Sequence, residues 1–167
     1  MIGYSKNNWP KNISGDEIDL EILCTLQEDG RISNADLARR INLSPPATFN
    51  RVRRLEEAGF IRGYVGMLDK EKAGFDLLCF VHVSLQLHQS QPVEAFKRAI
   101  SKLPEVLECY HVTGEFDYLL KVVLRNRRDL ERFTMEHLTP ISGVARIHTS
   151  LVLSVVKEST ALPLRST

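Results

Sequence analysis

The chain has 167 residues, 43% of them hydrophobic, and a net charge of +1. That is room for one medium domain or two small ones, and the supply of Leu, Ile and Val excludes a disordered chain. The near-neutral balance argues against a protein that coats DNA by bulk charge. No run approaches the roughly 18–20 apolar residues that span a bilayer, so no membrane partner is expected. The opening MIGYSKNNWPKNISG lacks the apolar stretch of a secretory signal. Cys24, Cys79 and Cys109 are far apart, odd in number and outside any CxxC or Cys/His cluster. They read as buried thiols of a cytoplasmic protein, with no metal site.

Residues 1–15 read as a polar, flexible N-terminal segment. SGDEIDLEILCTLQEDG then predicts a helix, with Asp16 as cap, Ile18, Ile22, Leu23 and Leu26 inward, and Gly30 as the stop. SNADLARRINL predicts a shorter one, capped by Ser33 or Asn34, with Leu37, Ala38 and Ile41 inward and Asn42 as a left-handed end. SPPATFNRVRRLEEAG predicts a third. Ser44 caps it, Pro45 takes the first helical position where a missing N–H costs nothing, and Gly59 lies past the end. The joint between the second and third helices is too short for a detour, which fits a helix-turn-helix. FIRGYVGMLD reads as two short strands about a turn, a wing carrying Arg62. KEKAGFD reads as a hinge.

From Leu77 the rhythm changes. LLCFVHVSLQL is rich in β-formers, with Phe80, His82, Ser84 and Gln86 on one side and Cys79, Val81, Val83, Leu85 and Leu87 on the other. PVEAFKRAISKLP is an amphipathic helix with Val93, Phe96, Ile100 and Leu103 inward. VLECYHVTGEFDYLLKVVL reads as a hairpin about Gly114. RDLERFTMEHLTPI is a second helix with Leu130, Phe133 and Leu138 inward, and VARIHTSLVLSVVK is a last strand. The order β-α-β-β-α-β is that of the ferredoxin-like split βαβ motif. The fold class is therefore α+β, with five expected segments. These are the N-terminal segment (1–15), a winged helix-turn-helix (16–63), a linker strand and hinge (64–76), a sheet domain (77–157) and a tail (158–167).

Charge is uneven along the chain. Asp16 to Asp29 holds six acids and no base, whereas Arg31 to Arg62 holds seven arginines against three acids, a local balance of 7 − 3 = +4. Arg offers a planar donor fork suited to phosphates and guanine edges. On the third helix, Thr48, Val52 and Leu55 share the core side. Opposite them lie Pro46, Ala47, Asn50, Arg53, Arg54 and Glu57, with Phe49 and Arg51 at the flanks. Pro46 and Ala47 make a slim leading end for a DNA major groove. Asn50 suits adenine, and Arg53 or Arg54 suits guanine or phosphate. Arg51 is placed for a backbone phosphate, while Ser44, Thr48 and the helix amides suit another. A basic helix face alone is usually just a solvated surface. The tight turn before it, the following Arg62 wing and the acidic first helix make double-stranded DNA the expected partner.

These features together resemble the Lrp/AsnC, or feast/famine, family of transcription regulators. The residues that carry the likeness are DEIDLEILCTLQEDGRISNADLARRINLSPPATFNRVRRLEEAGFIRGYVGMLD, then VTGEFDYLLKVV and HTSLVLSVVK, in family order from Gly15 to Lys157. The resemblance implies a winged helix-turn-helix joined to a C-terminal domain called RAM, similar to ACT amino-acid-binding domains. It implies homodimers built through the C-terminal sheet, assembling to tetramers or octamers, and an amino-acid effector bound between dimers as the only small molecule, with no cofactor. The family's effector turn maps onto Gly114, Glu115, Phe116 and Asp117, and its last-strand threonine onto Thr149. A second threonine, frequent in the family, is here Ile147. A glycine turn lets a ligand approach closely, its N–H groups can hold a carboxylate, and Asp117 is placed for an α-ammonium. Plain turn chemistry would explain the same residues.

An enzyme is the rival class. His82, His88, His111, His137 and His148 form no ligand spacing, and GxSxG, Walker A and GxGxxG sequences are absent, so no catalytic residue is expected. A DNA-packaging protein is the second rival. It would need a strongly basic chain.

Overall fold

The computed structural model describes residues 15–86 and 90–164, so the N-terminal segment up to residue 14, and His88, lie outside the described residues. The chain divides into two compact units. Of the described residues, one holds 15–67 together with 158–164, and the other holds those between 68 and 157.

The first unit contains α1 (Glu17–Glu28), α2 (Asn34–Arg40) and α3 (Pro45–Glu57). Each start has a cap that satisfies otherwise orphaned N–H groups. Asp16 and Asp19 form a reciprocal capping box, in which the Asp19 N–H donates to Asp16 Oδ1 at 2.9 Å and the Asp16 N–H to Asp19 Oδ2 at 3.3 Å. Ser33 caps α2 and Ser44 caps α3. Asn42 takes the left-handed conformation (φ 54°) that ends α2, as its sequence position suggests. Ile22, Leu23, Leu37, Ile41 and Leu55 are buried together, with Ile18, Leu26, Val52 and Phe60 packed on them.

Two expectations fail here. Phe60 to Asp69, read as two wing strands, carries no strand pairing. β-favouring residues form a ladder only beside another strand, and none in the described chain lies alongside. Tyr64 instead donates its hydroxyl to Glu56 at 3.0 Å, on the last turn of α3. Residues 158–164, read as a tail, belong to this unit. The Gln27 side-chain amide pairs with both backbone groups of Leu162 (2.6 and 3.2 Å), and Leu164 packs on the helical core.

The second unit is built from β1 (Leu77–Leu85), α4 (Ser90–Ile100), β2 (Val106–His111), β3 (Tyr118–Leu124), α5 (Arg127–Arg132) and β4 (Val144–Leu151). The strands form one antiparallel sheet in the order β2-β3-β1-β4. One face carries Cys79, Val81, Val83, Leu85, Leu120 and Val122 against Phe96, Ile100, Phe133 and Leu138 from the helices. After Arg132 the helix widens into a π-turn, Phe133–Leu138, where the Thr139 N–H and hydroxyl both donate to the Thr134 carbonyl (2.9 and 2.8 Å). The wider turn sets Phe133 and Leu138, five residues apart, on the same buried side. The opposite face of the sheet, over which no helix of the described residues in this unit packs, bears Phe80, His82 and Ser84 of β1.

Candidate nucleic-acid interface and effector turn

The first site is the exposed side of α3. Thr48 and Leu55 are buried, which fixes the rotation of the helix. Ser44, Pro46, Asn50, Arg53 and Arg54 are exposed, and Ala47 is half-buried. Arg62 is exposed beyond the end of the helix. The Ser44 hydroxyl accepts from the Ala47 N–H at 3.4 Å, as a cap should. Thr48 is not a phosphate ligand in this arrangement. Its side chain is fully buried and its hydroxyl donates to the Ser44 carbonyl at 3.1 Å.

The arginines divide differently from the sequence expectation. Arg54 is exposed, as helical spacing predicts, but its Nη2 reaches back to within 2.6 Å of Asp19 Oδ2. Arg51, expected at a backbone phosphate, has its Nη1 2.9 Å from Asp19 Oδ1 and 2.8 Å from Asp16. The Asp19 side chain is 0% exposed. Hydrogen bonding to Asp16 raises the Arg51 pKa against the opposing cost of burial, with Asp19 adding to the rise. Burial pushes the Asp16 carboxyl up, but the Asp19 N–H and the Arg51 guanidinium outweigh it and hold the group below the usual carboxylate range. Among the described residues Arg53 makes an exposed pair with Glu57, one turn along, at 2.8 Å. Exposed pairs of that spacing contribute about 0.3–0.5 kcal/mol. Stripping a partner from a buried charge costs about 3–5 kcal/mol. Arg53 can therefore exchange its partner for a ligand at little cost, whereas Arg51 and Arg54 cannot leave Asp19 without stranding its buried charge. Arg40 bridges Glu21 and Glu28, and Arg39 pairs with Asp36, so much of the basic excess is neutralised within the unit.

The second site is the turn before β3. Gly114 has φ 123°, a conformation other residues rarely adopt, and an added Cβ there would meet open space. Asp117, expected to meet an ammonium group, already accepts the Leu85 N–H at 2.7 Å, where β1 and β4 shift register. Glu115 is exposed and pairs with Arg146 at 2.9 Å. Phe116 folds over the helix-free sheet face. Its ring centroid is 4.9 Å from that of His82 and 6.1 Å from that of His148, and the Arg146 guanidinium lies 4.9 Å above it. Thr149 is opposite Val81 in the ladder, so it points to the helix-covered face while Phe116 lies on the other. The structure thus gathers Glu115 and Phe116 with each other and not with Thr149.

Sequence reading missed Asp19, His82, Arg146 and His148. The signal for Asp19 was present, since an acidic helix precedes an arginine-rich one in a small unit. The other three meet only through the β1–β4 register, which puts His82 opposite His148 and Ser84 opposite Arg146. No group of three or more His, Cys, Asp or Glu side chains among the described residues is arranged to hold a metal ion. No helix among them is long and apolar enough to cross a membrane.

A capped helix-turn-helix with an exposed polar face, followed by a split βαβ sheet, is the arrangement found in known proteins. Residues 15–62 match the family described as winged helix-turn-helix DNA-binding, and residues 78–162 match the Lrp/AsnC ligand binding domain. The chain belongs to the Lrp/AsnC family of transcriptional regulators. The leucine-responsive regulatory protein of Escherichia coli (strain K12) is 40% identical over 151 residues, covering 90% of this chain and 92% of the relative. A Neisseria meningitidis transcriptional regulator solved with L-Met is 36% identical, with a TM-score of 0.87 over 90% of this chain and 97% of that one. E. coli AsnC superposes with a TM-score of 0.82 at 26% identity, over 89% and 99% of the two chains. The Lrp/AsnC architecture thus covers both units, one for DNA and one for a ligand.

Proposed function

We propose that this Lrp/AsnC protein is a sequence-specific regulator that reads double-stranded DNA with the exposed side of α3 and responds to an amino acid held near the Gly114 turn. The observation that carries the reading is the split of α3. Thr48 and Leu55 are buried, while Pro46, Asn50 and Arg53 stand in solvent on a helix joined to α2 by a tight turn. In this reading Asn50 pairs with adenine, Arg53 with guanine or phosphate, and Ser44, Pro46, Ala47 and Arg62 line the contact. The chain acts as a homodimer or a larger even-numbered assembly, so that two helices meet half-sites about one DNA turn apart.

For the effector, Gly114, Glu115 and Phe116 remain the candidate contacts. Asp117 and Thr149 are weaker ones, given the Leu85 bond and the strand face described above. The L-Met carried by the N. meningitidis relative supports a free amino acid as the ligand class.

Fluorescence anisotropy with the DNA upstream of its own gene and with a random duplex tests the DNA half. Asn50→Ala is expected to lose about 1–3 kcal/mol of discrimination between them. Equal wild-type affinity for both duplexes would overturn the reading. A thermal-shift screen of the twenty amino acids tests the effector half, and no shift with any of them would overturn that part.

A further inference from the structure

We infer that Asp19, on α1, is a positioning residue for DNA recognition: it withholds Arg51 and Arg54 from phosphate and leaves Arg53 as the available cation of α3. This rests on the reading of the exposed side of α3 as the DNA surface. Each oxygen of the Asp19 carboxylate holds one guanidinium, Arg51 on Oδ1 and Arg54 on Oδ2. Arg51 is held a second time by Asp16. The carboxylate is shut away from water, so a phosphate that drew either arginine off would leave a buried charge short of a partner. Arg53, between them in sequence, pairs among the described residues with the exposed Glu57. A DNA phosphate replaces that partner without stranding anything.

The consequence is a division of labour among three arginines within four positions. Arg51 and Arg54 brace α3 against α1 and set how the helix presents Asn50. Arg53 contacts the ligand. Phosphate contacts add affinity without sequence information, so holding two of them back leaves base-edge contacts a larger share of the binding.

The test is a salt series with the full-length chain and two duplexes, its own upstream DNA and a random sequence of equal length. The slope of log affinity against log salt counts neutralised phosphates at about 0.9 each, and with each affinity referred to the folded fraction measured by circular dichroism at the same salt concentration, a merely structural role would not move it. Arg53→Gln is expected to flatten the slope by about 0.9, whereas Arg51→Gln and Arg54→Gln leave it unchanged. Asp19→Asn is expected to steepen it by about 0.9 for each arginine released, and to tighten random DNA more than upstream DNA. Flattening by Arg51→Gln or Arg54→Gln as large as that of Arg53→Gln would overturn the inference, as would an Asp19→Asn protein with an unchanged slope. If Asp19→Asn does not fold, the glutamine variants still decide, since each leaves Asp19 one guanidinium. An unchanged slope with Arg53→Gln would overturn the inference by itself, and the reading of α3 as the DNA surface falls with it only if Asn50→Ala also leaves the discrimination between the two duplexes unchanged.

Discussion

The helical unit and the sheet unit fix their geometry by different means. Every buried polar residue among the described ones (Asp19, Thr25 and Thr48) sits in the helical unit. The buried core of the sheet unit is carried by apolar side chains with one tyrosine, Tyr118. Size explains part of this. Helices of 12, 7 and 13 residues present few apolar positions, so the stacking of α3 on α1 is completed by directional bonds from Asp19. The sheet needs no such device, because its backbone ladder sets the register and each strand delivers alternate residues to the core. A unit that must hold a basic helix at a set rotation gains from bonds with direction, while a unit that carries a sheet gains from packing.

Breaking the packing side of this contrast should have the largest effect. Phe96 is fully buried beside Tyr118, with ring centroids 4.6 Å apart. Phe96→Ala is expected to cost the sheet unit about 3–5 kcal/mol. Denaturant unfolding followed by hydrogen exchange should show the loss in β1 and β3 amides. Equal loss in α1 would mean that the two units unfold together and that the contrast has no thermodynamic meaning.

How much of this was legible beforehand follows from the same contrast. Helix starts are local chemistry, so Asp16, Ser33 and Ser44 could be read as caps directly. The alternation of β1 also showed which residues face the core, and the element order of the sheet unit followed. What stayed hidden needed long-range geometry. Helical spacing put Arg54 outside, but a long side chain on the outside of one helix can reach across to the next. Arg54 does so to Asp19, 35 positions earlier. The Phe116 cluster depends on strand register, which spacing along one strand does not reveal. The two strands expected over residues 60–69 go unpaired for the opposite reason, since β-forming residues are present and no strand among the described residues lies beside them. Leu164 packs on a core that begins at Ile18, and nothing local in ESTALPLRST marks it.

A smaller effect probes the ends of the helical unit. Leu164 is half-buried on the helical core, held beside the Gln27–Leu162 pairing. Leu164→Ala is expected to cost about 1 kcal/mol, part of the 1.5–3 kcal/mol for fully burying a leucine. Hydrogen exchange should show weaker protection in α1 and none of the loss in β1. No change in α1 would return residues 158–164 to the status of a loose tail.

The smallest expected effect concerns pH and the bond that replaces the expected wing. Burial first, and then the hydrogen bond to Glu56, push the Tyr64 phenol up to about 12. A group whose folded pKa lies above its unfolded value binds its proton more tightly when folded. Its contribution is complete below the ordinary tyrosine value of about 10 and is lost as pH rises towards the raised one. The helical unit should therefore lose stability between about pH 10 and 12, and Tyr64→Phe should remove that part of the loss, lowering neutral-pH stability only by the modest worth of one exposed hydrogen bond to Glu56. Denaturant midpoints of both proteins across the alkaline range measure it, with phenolate absorbance as the direct readout. Identical pH curves would show that Tyr64 does not hold Glu56 in solution. The segment after α3 would then be bound to the helical unit by less than its geometry indicates, and the helical unit's reliance on directional bonds would end at Asp19.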